Sequence, residues 1–162
     1  MPAPFIAQTP EELPSRAETL AMSGLEFMQA MLAGKNSLPP VAGTMNYTIH
    51  AVRHGHVAFR GAPEFRHTNP LGGVHGGWYG SLLDTALGCA VMTVVPQGFW
   101  YTTLEYKVNI TRALPIGTEI EVTGDVQHAG RSTAVANSEL RCLAAGKLYA
   151  TGSTTCIILP GG

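Results

Sequence analysis

Charge is scarce in this chain. Asp, Glu, Lys and Arg together make up 13% of its 162 residues and sum to −1 with the histidines neutral. That leaves no general basic excess for binding nucleic acid. Cysteine is scarce too. Cys89, Cys142 and Cys156 are odd in number, widely spaced and contain no Cys-x-x-Cys, so neither a disulfide framework nor a zinc knuckle is supported. Cys89 reads more readily as a small buried hydrophobe than as a nucleophile. No apolar run approaches the roughly 18 residues needed to span a bilayer. The opening MPAPFIAQTPEELPSRAETL has neither a basic start nor an apolar core. No secretory signal is therefore expected in it, and a reducing, cytoplasmic setting is. With 45% hydrophobic residues, the length suits one domain with a proper core and surplus apolar surface for an oligomer.

Glycine, by contrast, is plentiful, and four glycines fall in one turn: Asn69-Pro-Leu-Gly-Gly-Val-His-Gly-Gly-Trp-Tyr-Gly-Ser-Leu-Leu-Asp84. Gly72, Gly73, Gly76 and Gly77 let backbone come close to a ligand or another chain, at an entropic cost an ordinary helix start would not carry. A helix is expected over about 76–95, and Pro96-Gln97-Gly98 ends it. The free N–H groups of its first turn suit negative charge or a polarised carbonyl oxygen. On the helical wheel Trp78, Leu82, Ala86 and Thr93 share one side, grading into Tyr79, Leu83, Leu87, Ala90 and Val94. The remaining arc carries Gly77, Gly80, Ser81, Asp84 and Gly88. Asp84 is thus a poor helix former on a stripe of very small residues, where a substrate or second helix can approach. A lone Asp in a buried helix can simply bond nearby backbone or pair with an Arg. The small stripe and the His-Gly-Gly turn together favour a functional role.

Around this helix, residues 1–18 read as a Pro-rich, loosely ordered lead-in to a single domain over 19–162. Ala17–Ala33 reads as one amphipathic helix, and Thr44–His50 and His56–Arg60 as short strands. After the long helix the apolar period becomes two. In Thr103–Thr111, Thr103, Glu105, Lys107, Asn109 and Thr111 alternate with Leu104, Tyr106, Val108 and Ile110. Further strands fit 119–126, Thr133–Cys142 and Leu148–Ile158, joined by short Gly- and Pro-bearing turns. Consecutive strands on short turns imply an antiparallel sheet with one covered face, so the expected α+β fold is a long central helix wrapped by a curved sheet.

That order, with Asn69, the His75-Gly-Gly turn, an acid seven residues after the second Gly, and Gly130-Arg131 between late strands, resembles the hotdog-fold acyl-CoA thioesterases of the phenylacetate-degradation type. The similarity runs from about Leu20 to Leu159. It implies hydrolysis of an acyl-CoA to free acid and CoA, with no cofactor or metal. It assigns Asp84 as catalytic base or nucleophile and the Gly76 N–H as the group that polarises the thioester carbonyl. Asn69 would orient water or substrate, and Thr103 or Thr102 would assist from the next strand. Many relatives have Arg-Pro where this chain has Arg112-Ala113, which affects local strand-end geometry. His75 either bonds substrate or braces the turn. Gly77 and Ser81 fall beside the binding surface, and Arg131 either holds CoA phosphates, which suit its guanidinium fork, or is a solvated turn residue. The spacing of His54 and His56, with His50 and His67 nearby, could suggest a metal, but no acidic or Cys partner sits at ligand spacing and structural or surface roles fit better. Trp78, Tyr79, Phe99, Trp100 and Tyr101 could line an aryl pocket or belong to the core.

One geometric point does not depend on the resemblance. Gly76 and Asp84 are eight residues apart, roughly 12 Å along a helix at about 1.5 Å per residue. A carbonyl oxygen held by Gly76 cannot also bring its carbon within about 3–3.5 Å of the same chain's Asp84. If both serve one substrate they come from different subunits, so a homodimer with two shared sites is expected; the resemblance, not this geometry, implies that such dimers pair again as a dimer of dimers. Two other functions use the same fold: a non-catalytic acyl-CoA-binding or sensing domain, and an enoyl-CoA hydratase. A hydratase usually pairs His with its acid, whereas the mapped residue here is a lone Asp.

Overall fold

The computed structural model describes residues 3–161. Two short helices open the chain, α1 (Arg16–Leu20) and α2 (Gly24–Leu32), followed by α3 (Pro40–Met45), β1 (Tyr47–Arg53) and β2 (His56–Gly61). The long helix α4 (Gly76–Met92) comes next, and then β3 (Phe99–Ile110), β4 (Ile120–Ala129), β5 (Thr133–Cys142) and β6 (Leu148–Pro160). All six strands form one antiparallel sheet in the order β1-β2-β4-β5-β6-β3. This is the α+β hotdog architecture, with α4 as the part the sheet wraps.

The core lies between α4 and the concave face of the sheet. Leu82, Leu83, Leu87, Ala86, Ala90 and Val91 are wholly buried against Val57, Val122, Leu140 and Ala150. Full burial of each large aliphatic side chain contributes about 1.5–3 kcal/mol. The sheet comes so near the helix that a Cβ on Gly124 would overlap the Ala86 carbonyl; this crossing requires glycine. Trp78 and Tyr79 belong to the core. The Trp78 indole donates to the Met45 carbonyl at 2.9 Å, and the Tyr79 hydroxyl accepts from Leu114 N–H at 2.9 Å.

Three local expectations are corrected. The single helix over Ala17–Ala33 is two helices, because Ser15–Glu18 and Ser23–Glu26 each close a reciprocal capping box that starts a new helix. The strand expected to start at Thr44 starts at Tyr47, since Pro40 opens a short helix that ends at Asn46 in the left-handed region (φ 56°). The strict alternation read from Thr103 to Thr111 also fails. Pairing steps from Thr103 with Cys156 to Glu105 with Thr155, leaving Leu104 as a bulge residue. The bulge brings Thr103 and Tyr106, not Thr103 and Glu105, against α4. In the lead-in, Ala7 is buried and its N–H bonds the Leu38 carbonyl at 2.9 Å.

Candidate active site

The turn before α4 is built by its own side chains. Asn69 Oδ1 accepts from the N–H groups of Leu71 (2.9 Å) and Gly73 (3.2 Å), while Asn69 N–H donates to the Gly73 carbonyl at 2.8 Å. Gly72 sits at φ 80°, a conformation L side chains rarely adopt. His75 then caps the helix: its Nδ1 accepts from Gly77 N–H at 2.9 Å. Of its two possible roles, bracing the turn is the one seen. The cap also separates the two glycines. Gly77 N–H is spent on His75, whereas Gly76 N–H has no partner among the described residues and remains exposed at the positive end of a 17-residue helix. Ser81 is satisfied locally, donating to the Gly77 carbonyl at 2.8 Å.

Behind the turn, His67 fixes the loop. Its Nδ1 accepts from Glu64 N–H at 2.8 Å, so its Nε2 carries the proton and donates to the Thr44 carbonyl at 2.7 Å. The His67 carbonyl in turn accepts from His75 N–H at 2.8 Å. A structural role absorbs this histidine. His56 is paired with Asp125 at 2.7 Å, and among the described residues no three His, Cys, Asp or Glu side chains cluster as a metal site.

Two turns along α4, Asp84 is half-buried and receives the Thr103 hydroxyl at 3.5 Å. Burial raises its carboxyl above the ordinary value of 3.8, and the Thr103 hydrogen bond partly offsets this. The result is a stronger base than an exposed aspartate, with one oxygen held in place. Thr102 is exposed, and the hydroxyl that meets Asp84 is that of Thr103. The small-residue stripe is partly covered from β3. Tyr106 lies over Gly80, and the Tyr101 hydroxyl takes the place a Cβ on Gly88 would need. These two tyrosines were not singled out for this role from the sequence, because the bulge at Leu104 hides which β3 residues share a face. Arg131 stands exposed in the β4–β5 turn, remote in sequence and element from Asp84.

Asp84 and Thr103 therefore meet, and Asn69, His75, Gly76 and Gly77 form a second group at the head of the same helix. The two groups lie on one helix, eight residues apart. β3, which supplies Thr103, is an edge strand of the sheet. Leu104, Tyr106 and Ile110 on it are 58%, 46% and 46% exposed, a long row of unpaired backbone and apolar side chains.

Comparisons with known proteins point to thioesterases. Residues 71–147, which run from the glycine-rich turn through α4, β3, β4 and β5, match the family model of the thioesterase superfamily. In fold the chain is similar to a phenylacetic acid degradation-related protein of Ralstonia eutropha JMP134, with 28% identity and a TM-score of 0.73 over 81% of this chain and 98% of that one. It is also similar to a hypothetical thioesterase of Streptococcus pneumoniae solved with coenzyme A, at 25% identity and a TM-score of 0.65, covering 71% of this chain and 87% of that one. Among curated proteins it resembles mouse acyl-coenzyme A thioesterase 13, 32% identical over 92 residues, 57% of this chain and 65% of the relative. The chain spans 57% and 65% of the lengths of the first two curated relatives. Matched segment and fold together make the chain similar to thioesterases of the hotdog fold, among them a phenylacetic acid degradation-related protein.

Proposed function

We propose that the protein hydrolyses acyl-CoA thioesters in a homodimer whose two sites each draw on both subunits. The carrying observation is the pairing of resources on α4: an unspent Gly76 N–H at the helix head and a half-buried Asp84 held by Thr103. The Gly76 N–H of one subunit polarises the thioester carbonyl and holds the developing oxyanion. Asp84 of the other subunit either takes a proton from water as it attacks the carbonyl carbon, or attacks that carbon itself, breaking the C–S bond to release CoA thiolate and give a transient anhydride that water hydrolyses to free acid and Asp84. An oxyanion donor of this kind is worth about 2.7–4 kcal/mol in the transition state. Thr103 positions the carboxylate. Asn69 and His75 hold the turn so that Gly76, not Gly77, presents its N–H, and Asn69 keeps its amide nitrogen for water or substrate. Gly77 and Ser81 form the surface beside the carbonyl, and Arg131 meets the CoA phosphates. No cofactor or metal is needed for these steps.

The exposed β3 edge supports a second copy as the missing partner, paired strand to strand, and two such dimers pairing again would give a tetramer. No described helix is long and apolar enough to cross a membrane, and three free cysteines suit a reducing cytoplasm. The test is thiol release from a panel of acyl-CoAs. Release by wild type that falls by about a hundredfold or more in Asp84→Ala supports hydrolysis through this carboxylate. Undiminished acyl-CoA binding without release in wild type would favour the sensing domain, and hydration of an enoyl-CoA would favour the hydratase.

A further inference from the structure

Three side chains of β3 meet α4 one turn apart. Tyr101 lies over Gly88, the Thr103 hydroxyl reaches Asp84 at 3.5 Å, and Tyr106 lies over Gly80. Four helix residues rise about 6 Å and two strand residues about 6.8 Å, so a strand can set every second residue on successive turns. Tyr101 to Thr103 keeps that spacing. Thr103 to Tyr106 takes three residues, which a strand can do on one face only by absorbing an extra residue. Leu104 is that residue, and pairing steps over it from Thr103 with Cys156 to Glu105 with Thr155.

Side chains hold this step. The Thr154 hydroxyl donates to the Glu105 carbonyl at 2.6 Å, and the Glu105 carboxylate accepts from Thr155 N–H at 2.9 Å. Thr154 is 2% exposed, and a hydroxyl buried so deeply is costly unless bonded. Its Oγ1 also lies 3.9 Å from Sγ of Cys156, the residue that pairs with Thr103. Were the extra residue to slip by one, with Tyr106 still on α4, Leu104 would face Asp84 and Thr103 would turn away.

We propose that Thr154 and Glu105 are positioning residues, which clamp the β3 bulge and so hold the Thr103 hydroxyl on Asp84. Neither touches the reacting atoms. Thr154 has the larger effect because its bond is buried, whereas Glu105 is exposed and water competes for its carboxylate. The assignment rests on the proposed role of Asp84 in hydrolysis, yet it can also be judged without turnover.

Thr154→Val keeps the shape and removes the donor. It should lower kcat about tenfold, as Thr103→Val should, with KM nearly unchanged. Thr154→Ser restores a hydroxyl and should return kcat to within about twofold of wild type. In the double variant, with Thr103 already valine, Thr154→Val should cost nothing further, because the two act as one unit. Losses that multiply to about a hundredfold, or a Thr154→Val enzyme with unchanged kcat, would overturn the clamp. Glu105→Ala should give a smaller loss of about threefold, again absent when Thr103 is valine. That exposed position carries the test should Thr154→Val fail to fold.

Carboxyl-carbon NMR of Asp84 in the full-length protein gives the readout free of turnover. The Thr103 hydrogen bond partly offsets the effect of burial on this carboxyl. Thr154→Val and Thr103→Val should therefore both move the Asp84 titration to higher pH, and Thr154→Ser should not. The titratable groups about Asp84 are Cys89 on α4, Tyr47 on β1, Tyr101 and Tyr106 on β3, and Cys156 on β6, with Glu105 across the bulge distinguished by its own carboxyl signal. Burial pushes Tyr47 and Cys89 up to about 12 and raises Tyr101 and Cys156, so these four stay neutral while Asp84 titrates. An Asp84 titration left in place by Thr154→Val would refute the clamp. Absence of thiol release from every acyl-CoA in wild type would instead defeat the hydrolase reading and leave the titration to judge the clamp.

Discussion

The Thr103 hydroxyl donates to Asp84 Oδ1 across 3.5 Å, from an edge strand to the middle of the central helix. This bond fixes one oxygen of a carboxylate that burial has made more basic. It is long, and its strength lies at the lower end of the range for hydrogen bonds to charge. Thr103→Val keeps the shape and removes the donor. It should lower kcat about tenfold and leave KM nearly unchanged, because the bond positions the base rather than the substrate. Steady-state kinetics on the best substrate checks this, and an equal rise in KM with kcat intact would contradict it.

The raised Asp84 carboxyl has a consequence for stability. A carboxyl whose folded value lies above its unfolded value favours the folded state while protonated, and that advantage is lost as pH rises through the folded value. At neutral pH the ionised Asp84 therefore costs stability. Asp84→Asn should raise Tm at pH 7, and the gap should close as pH falls below the ordinary aspartate value of 3.8. Calorimetric melts of both proteins across that range test the sign. In wild type, kcat/KM should fall as acid protonates the same group.

Sharing of sites between subunits predicts complementation. Gly76→Pro removes the N–H at a position where proline suits a helix start. Asp84→Ala removes the base. Each variant should be nearly inactive alone. A refolded equal mixture should recover about a quarter of wild-type activity, since half the dimers are mixed and each mixed dimer holds one intact site. No recovery, with mixed dimers shown to be present, would place both groups in one subunit.

The β3 edge carries the predicted dimer interface. Sedimentation should show a dimer or tetramer for wild type. Leu104→Lys puts a charge on the exposed bulge residue, and it should shift the protein toward monomer and reduce thiol release in parallel. A fully active monomer would refute the shared site.

Much of the fold was legible because its signals are local. Alternation marked β5 and β6, and the mixed stripe on α4 singled out Asp84; the helix expected to run to about residue 95 ends at Met92, ahead of Pro96. The Ser23–Glu26 capping box, also local, divides into two helices a stretch whose apolar pattern alone reads as one. The Leu104 bulge was not legible. Its extra residue is defined only against β6, and a period-two pattern read along one strand cannot show where the partner skips.

The roles of the glycines divide the same way. The sequence alone marked the turn before α4 as special. It could not say that His75 would claim Gly77 N–H and leave Gly76 N–H unspent, because that depends on where one imidazole comes to rest. Nor could it show Tyr101 filling the space left by Gly88. By itself the sequence determined the elements, the buried face of the helix and the residue types suited to thioester chemistry, since these follow from periodicity and backbone sterics. Tertiary structure decided which of those residues meet and which donor stays free, because those depend on contacts between parts of the chain far apart in sequence.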